Sequence, residues 1–172
     1  MLKQQITARL ELAFSLQGFA EPSVAQLKDA SGVSLRTLYK YYPSKEAMIV
    51  GALAHRHQRY LDYLLLNVPT SPVDSVVHMF ERLERWMEEF APHGCLSISA
   101  IAAFPENLQI TDAVHQHKQQ VRELFAEQSG RADLATALFL LHEGVSSAWP
   151  VLGNTAVLSA QQTATQLLQV TK

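Results

Sequence analysis

Residues 23–46 read Ser-Val-Ala-Gln-Leu-Lys-Asp-Ala-Ser-Gly-Val-Ser-Leu-Arg-Thr-Leu-Tyr-Lys-Tyr-Tyr-Pro-Ser-Lys-Glu. The spacing predicts two short helices joined by a tight turn, then the start of a third. Pro22 disfavours a helix entering from upstream, and Ser23 with Gln26 has the spacing of a capping box. Val24, Leu27 and Ala30 give the first short helix one apolar face. Gly32 supplies the turn, where a positive φ costs least for glycine. Ser34 caps a second helix that must stop at Pro43, and Ser44 caps the next. A helix, a glycine turn and a second helix rich in Arg, Thr, Tyr and Lys form a helix-turn-helix. Such a unit places its second helix in the major groove of DNA.

Gly32-Val33-Ser34, Thr37-Leu38-Tyr39 and Tyr42-Pro43-Ser44-Lys45-Glu46 closely resemble the DNA-binding domain of TetR-family transcriptional regulators. Those proteins carry Ala-Gly-Val-Ser-x-x-Thr-Leu-Tyr-x-x-Phe-x-Ser-Lys-Glu in the same place. The resemblance is sharp over residues 1–55 and architectural beyond them. Two positions depart from it. Arg36 stands where the family has a small residue, which bears on the bases read, and Tyr42 replaces Phe, putting a hydroxyl at the core's edge.

The resemblance implies an all-α fold in which a three-helix DNA-binding domain precedes a helical domain for ligand binding and dimerisation. About nine helices are expected in total. The expected boundary puts the DNA-binding domain at 1–48 and the effector-binding and dimerisation domain at 49–172. Carried onto matching positions, the resemblance sets Leu35, Arg36 and Thr37 against base edges. Arg36 suits guanine O6 and N7, while Leu35 or the Thr37 methyl suits a thymine methyl. Ser23, Tyr39, Lys40, Tyr41 and Lys45 would then hold phosphates and set register. Val33, Leu38 and Tyr42 are left to the core.

Charge agrees with this division. Residues 1–59 hold eight Lys/Arg against four Asp/Glu, and residues 60–172 hold six against twelve. A basic head on an acidic body is expected where only one end meets phosphate. No leader-like apolar core opens the chain and no apolar run reaches the roughly 18 residues of a membrane span. The expectation is a cytoplasmic protein away from membranes. One cysteine makes no intrachain disulfide, and no Cys/His cluster has zinc spacing. The pairs His55-x-His57 and His115-x-His117 diverge by about 200° on a helix, so they read as surface residues rather than metal ligands. Neither metal nor cofactor is expected.

Outside the central stretch, Ile6, Leu10, Ala13 and Phe14 stripe a helix at 2–17 that Gly18 ends. A long helix runs from Ser44 to Leu66, with Leu53, Tyr60, Tyr63 and Leu64 assigned to the body. Pro72–Phe90 is amphipathic, with Val76, Met79, Phe80, Leu83, Trp86, Met87 and Phe90 on its apolar side. Cys95–Phe104 is apolar almost all round and reads as a buried helix. A polar helix at 108–128 turns Val114, Val121, Leu124 and Phe125 inward.

The last two helices, at 131–151 and 155–170, are rich in small residues and suit close approach. A single helix-turn-helix reads one half-site, so two copies are needed for two. The resemblance implies a homodimer through these last helices, double-stranded operator DNA as partner, and a small-molecule effector. Met79, Trp86, Met87, Phe90, Cys95, Phe104, His142 and Trp149 are the candidate lining, favouring an apolar or aromatic effector. Repression is the family's usual mode. The alternative is a regulator that senses oxidants or electrophiles through Cys95, which opens a helix near His93. An enzyme is not expected, because nucleophile elbow, P-loop, dinucleotide and zinc-protease motifs are all missing. An architectural DNA protein fits poorly with so large an acidic body.

Overall fold

The computed structural model describes residues 1–169, and these contain nine α-helices, one short 3₁₀ turn and no strand. The helices are α1 Leu2–Gln17, α2 Val24–Ser31, α3 Leu35–Tyr41, α4 Lys45–Leu65 and α5 Pro72–Phe90. Then follow α6 Leu96–Ala103, α7 Leu108–Ser129, α8 Ala135–Leu152 and α9 Asn154–Gln169, with the 3₁₀ turn Ala132–Leu134 ahead of α8. Val170, the expected end of the last helix, lies outside the described residues. The all-α reading holds, and helix ends fall within a residue or two of expectation except at α8, where the 3₁₀ turn occupies the expected first turn.

The residues form two compact units, Met1–Arg59 with Leu96–His117, and Tyr60–Cys95 with residues from 118 onward. In the first, the apolar stripe of α1 is fully used: Ile6, Leu10, Ala13 and Phe14 are buried beside Leu27, Leu38, Met48 and Ile49. Leu53, assigned from sequence to the body, is in this core as well, because α4 is still packing here at that point. Ala100, Ile110 and Val114 complete it, so the stretch carrying α6 returns to the N-terminal residues.

α6 is not the buried helix its composition suggested. Only Ala100 is buried, Leu96 and Ile101 are half-buried, and Ile98 is 51% exposed. A helix of two turns covers only the side that meets a neighbour, whatever its other side is made of.

In the second unit, Val76, Met79, Phe80, Leu83, Trp86 and Met87 of α5 are buried against Val121 and Phe125 of α7 and Leu138 and Val145 of α8. α9 adds Ala156, Val157, Ala160 and Ala164, small residues that let it lie close on α5 and α8. No helix among the described residues is long and apolar enough to cross a membrane.

Candidate nucleic-acid interface

α2, α3 and α4 each begin at the side chain that the sequence assigned. The Ser23 hydroxyl accepts the Gln26 N–H while the Gln26 side chain takes the Ser23 N–H, which completes the capping box of α2. Ser34 accepts the Thr37 N–H at 3.1 Å, and Ser44 accepts the Ala47 N–H at 3.1 Å. Each such cap is worth about 1 kcal/mol. Gly32 sits between α2 and α3 at φ 69°, ψ 24°, the left-handed conformation that ends α2. Ala30 is the exception on α2: it is exposed, so Leu27 and half-buried Val24 carry the apolar face.

Leu38 is wholly buried and anchors α3 to the core. Leu35, Arg36, Tyr39 and Lys40 are exposed, and at 100° per residue they share one arc of about 140°. Thr37, about 60° beyond Lys40, and Tyr41, on the far side of the helix, are half-buried; Thr37 shares a hydroxyl–hydroxyl bond with Ser34, and the Lys40 ammonium lies over the Tyr41 ring. Ser23 is exposed at the start of α2. This is a presented, mixed basic and aromatic surface on a rigidly capped helix.

Lys45 is placed differently from a free phosphate contact. Its Nζ donates to the Ala20 carbonyl at 2.8 Å and stands 5.8 Å from the centre of the Phe104 ring. Partial burial lowers its pKa, with Glu46 and Glu21 pulling the other way. Tyr42 is buried, and its hydroxyl bonds the Thr7 hydroxyl inside the core rather than at an edge. Its ring lies so close to Gly51 that a Cβ there would fall 2.5 Å from Cε1. Thr7 on α1 thus receives the hydroxyl that this chain carries in place of the family's Phe.

Three of the four expected surface histidines are not free at the surface. His55 Nδ1 meets the Glu11 carboxylate at 2.5 Å, and His57 stacks on His117 at 4.2 Å. Only His115 is exposed, and no group of three or more metal-ligating side chains is found among the described residues. Periodicity on one helix reveals which way a histidine points, not which helix faces it. The Glu11 carboxylate, buried in α1, also meets Arg59 at 2.6 Å and Arg56 at 3.4 Å. Sequence reading missed this cluster, although a lone acid beside Leu10 and Phe14 on a buried stripe was the available signal.

Residues 10–52 match the family model for bacterial regulatory proteins of the tetR family. That stretch carries the DNA-binding domain of the tetR family. The chain's fold is that of solved TetR-family regulators. One from Streptomyces coelicolor shares 16% identity at TM-score 0.81, covering 96% of this chain and 91% of that one. Reduced NemR from E. coli shares 20% at TM-score 0.76, covering 95% of each. A cysteine-substituted CifR solved with 26-base-pair operator DNA shares 23% at TM-score 0.74, covering 94% of each. No curated protein matches the sequence. The chain therefore has the fold of these regulators, with the family's DNA-binding domain matched at its N-terminal end.

Of the candidate effector residues, Met79, Trp86, Met87 and His142 are buried in the second unit, with Phe90 and Trp149 half-buried beside them. Trp86 lies 4.7 Å from Phe90 and 5.0 Å from Tyr60, ring centre to ring centre. Phe104 is not among them; it packs with the first unit's core, beneath Lys45.

A polar relay crosses the same unit. Tyr60 Oη bonds His142 Nε2, His142 Nδ1 meets Glu143 at 3.0 Å, and Lys118 Nζ donates to Glu143 at 2.8 Å and to Cys95 Sγ at 3.3 Å. Burial lowers the His142 pKa and pushes that of Tyr60 well up, where Cys95 and Glu143 add to it. Burial would raise Glu143, but the His142 bond and the Lys118 charge outweigh it and hold the carboxyl at about 2. Burial would also lower Lys118, but Cys95 and Glu143 raise it. Cys95 is half-buried just before α6, and Lys118 rather than His93 touches its sulfur. Tyr60, Lys118 and Glu143 were not legible as a group, since they come from three helices far apart in sequence.

Proposed function

We propose that the protein is a homodimeric repressor that binds a palindromic operator and is released by a small molecule with an apolar or aromatic body. The exposed arc of Leu35, Arg36, Tyr39 and Lys40 on capped α3 carries this reading. Leu35, Arg36 and Thr37 read bases; Ser23, Tyr39, Lys40, Tyr41 and Lys45 hold phosphates. Lys45 must leave the Ala20 carbonyl to do so, a small exchange for an exposed bond.

Dimerisation through the last two helices is supported by their outer faces. Thr136, Leu140, Gly144, Ser147 and Val151 recur every three or four residues along α8 and are all exposed, as are Thr155, Leu158, Gln162 and Gln166 on α9. Leu140 is 63% exposed and Val151 85%. Apolar and small residues in one stripe suit a self-complementary helix pair.

The effector reading rests on Met79, Trp86, Met87, Phe90, Cys95, His142 and Trp149, an aromatic wall with one buried polar chain as its handle. Fluorescence anisotropy of a selected duplex, titrated with a panel of aromatic and aliphatic compounds, tests it. Release by an aromatic or apolar compound with tryptophan quenching is expected; release only by thiol-reactive compounds, abolished in Cys95→Ser, would replace it with thiol sensing.

A further inference from the structure

α1 carries Arg9 and Glu11, two residues apart and so leaving the helix about 200° apart. Glu11 turns to α4, where it meets Arg56 and Arg59. Arg9 turns the other way and crosses to α2, its Nη1 donating to the Ser31 backbone carbonyl at 2.9 Å. Ser31 is the last residue of α2. Carbonyls at that end of a helix have no intrahelical donor and sit at the negative pole of the helix dipole, where a cation is favoured. The next residue is Gly32, the pivot into α3. A Cβ built on Gly32 would lie 2.2 Å from Arg9 Nη1. Its φ of 69° holds Gly32 to glycine, and a Cβ there would push the Arg9 guanidinium off the Ser31 carbonyl.

We propose that Arg9 is a positioning residue for DNA reading, closing the end of α2 over Gly32 and so fixing the turn that aims α3. This rests on α3 being the base-reading helix. Arg9 acts through the Ser31 carbonyl and does not contact DNA. A guanidinium suits the place because it is always charged and its Nη1 reaches in, end-on, beside a residue that has no side chain. Without it, the Ser31 carbonyl loses its charged donor, and the end of α2 keeps only uncharged bonds, from the Gly32 N–H to the Lys28 and Asp29 carbonyls and from the Ser31 hydroxyl to the Lys28 carbonyl. α3 then samples more than one angle in the groove. Correct base contacts suffer most, because they demand geometry, whereas phosphate attraction tolerates a tilt.

The test uses the full chain as wild type, Arg9→Ala, Gly32→Ala and the double variant. Affinity is measured over several salt concentrations for a duplex that the wild type selects from a randomised pool and for a scrambled duplex. Arg9→Ala should weaken the selected duplex about tenfold and leave the scrambled one nearly unchanged, with the same slope of log K against log salt. Gly32→Ala should weaken it too, but by a smaller factor when Arg9 is already alanine, because the clash has gone. Equal weakening of both duplexes, strictly multiplicative effects in the double variant, or a slope reduced by about one per half-site would each overturn the proposal. The last would make Arg9 a phosphate contact. Circular dichroism checks folding; if Arg9→Ala melts, Arg9→Met, which keeps the apolar stem, is measured against the same outcomes. Failure of the wild type to select any duplex overturns the α3 reading itself, and unchanged discrimination in Arg9→Ala overturns this proposal alone.

Discussion

In the proposed reading Arg36 meets a base and Lys45 a phosphate. Arg36 projects from the exposed arc of α3, where the family resemblance leaves room for a small side chain. Arg36→Ala should relax base preference at one position in each half-site and cost about 1–3 kcal/mol per lost bidentate contact. Binding to a panel of single-base operator variants checks it; an equal loss on every variant would make Arg36 a phosphate contact. Lys45→Ala should instead weaken all variants alike and flatten the salt slope by about one per half-site. Retention of both slope and affinity would leave Lys45 as a strut between Ala20 and Phe104. Its role was the least legible in sequence among the residues proposed to meet DNA. A lysine in the first turn of a helix reads the same whether it meets phosphate or a carbonyl from another segment.

At the scale of elements, α1 owes its place to Glu11 as much as to its apolar stripe. The carboxylate is buried and faces two arginines and a histidine from α4. Glu11→Ala strands those charges, Arg56 being buried itself, and should cost about 3–5 kcal/mol in urea denaturation. A loss under about 1 kcal/mol would show that the cluster is solvated in solution. The caps and stripes of α1 to α5 were legible because each depends on residues within one or two turns: Ser23 with Gln26, Ser34 with Thr37, Ile6 with Leu10 and Phe14. The exposure of α6, the stacking of His57 on His117 and the relay from Tyr60 to Cys95 depend on partners from other helices. No local pattern encodes those pairings.

The molecule as a whole should answer to pH through that relay. His142 is buried with its pKa lowered, facing Tyr60, Glu143 and the Lys118 charge. The folded state therefore takes up its proton less readily than the unfolded one, and stability falls as pH drops through about 6.5. Glu143, held at about 2 against an ordinary value of 4.5, contributes stability above 4.5 that is lost as pH falls from 4.5 toward 2. Denaturation midpoints from pH 8 down to about pH 3 should thus fall in two stages. His142→Gln should remove the first; parallel curves for both proteins would contradict the assignment. The proposed dimer makes a second demand at this scale. Leu140→Glu with Leu158→Glu should give a monomer in ultracentrifugation that keeps its helix content and loses operator affinity.

The central claim is that two copies of the α3 surface read DNA together. Selection of duplexes from a randomised pool, followed by ultracentrifugation of the protein on the enriched duplex, tests it most directly. The account predicts an enriched inverted repeat carrying two chains per duplex, with the two half-sites presented to the same face of the helix. An enriched site without inverted symmetry, occupied by one chain, or no enrichment over the starting pool, would contradict it.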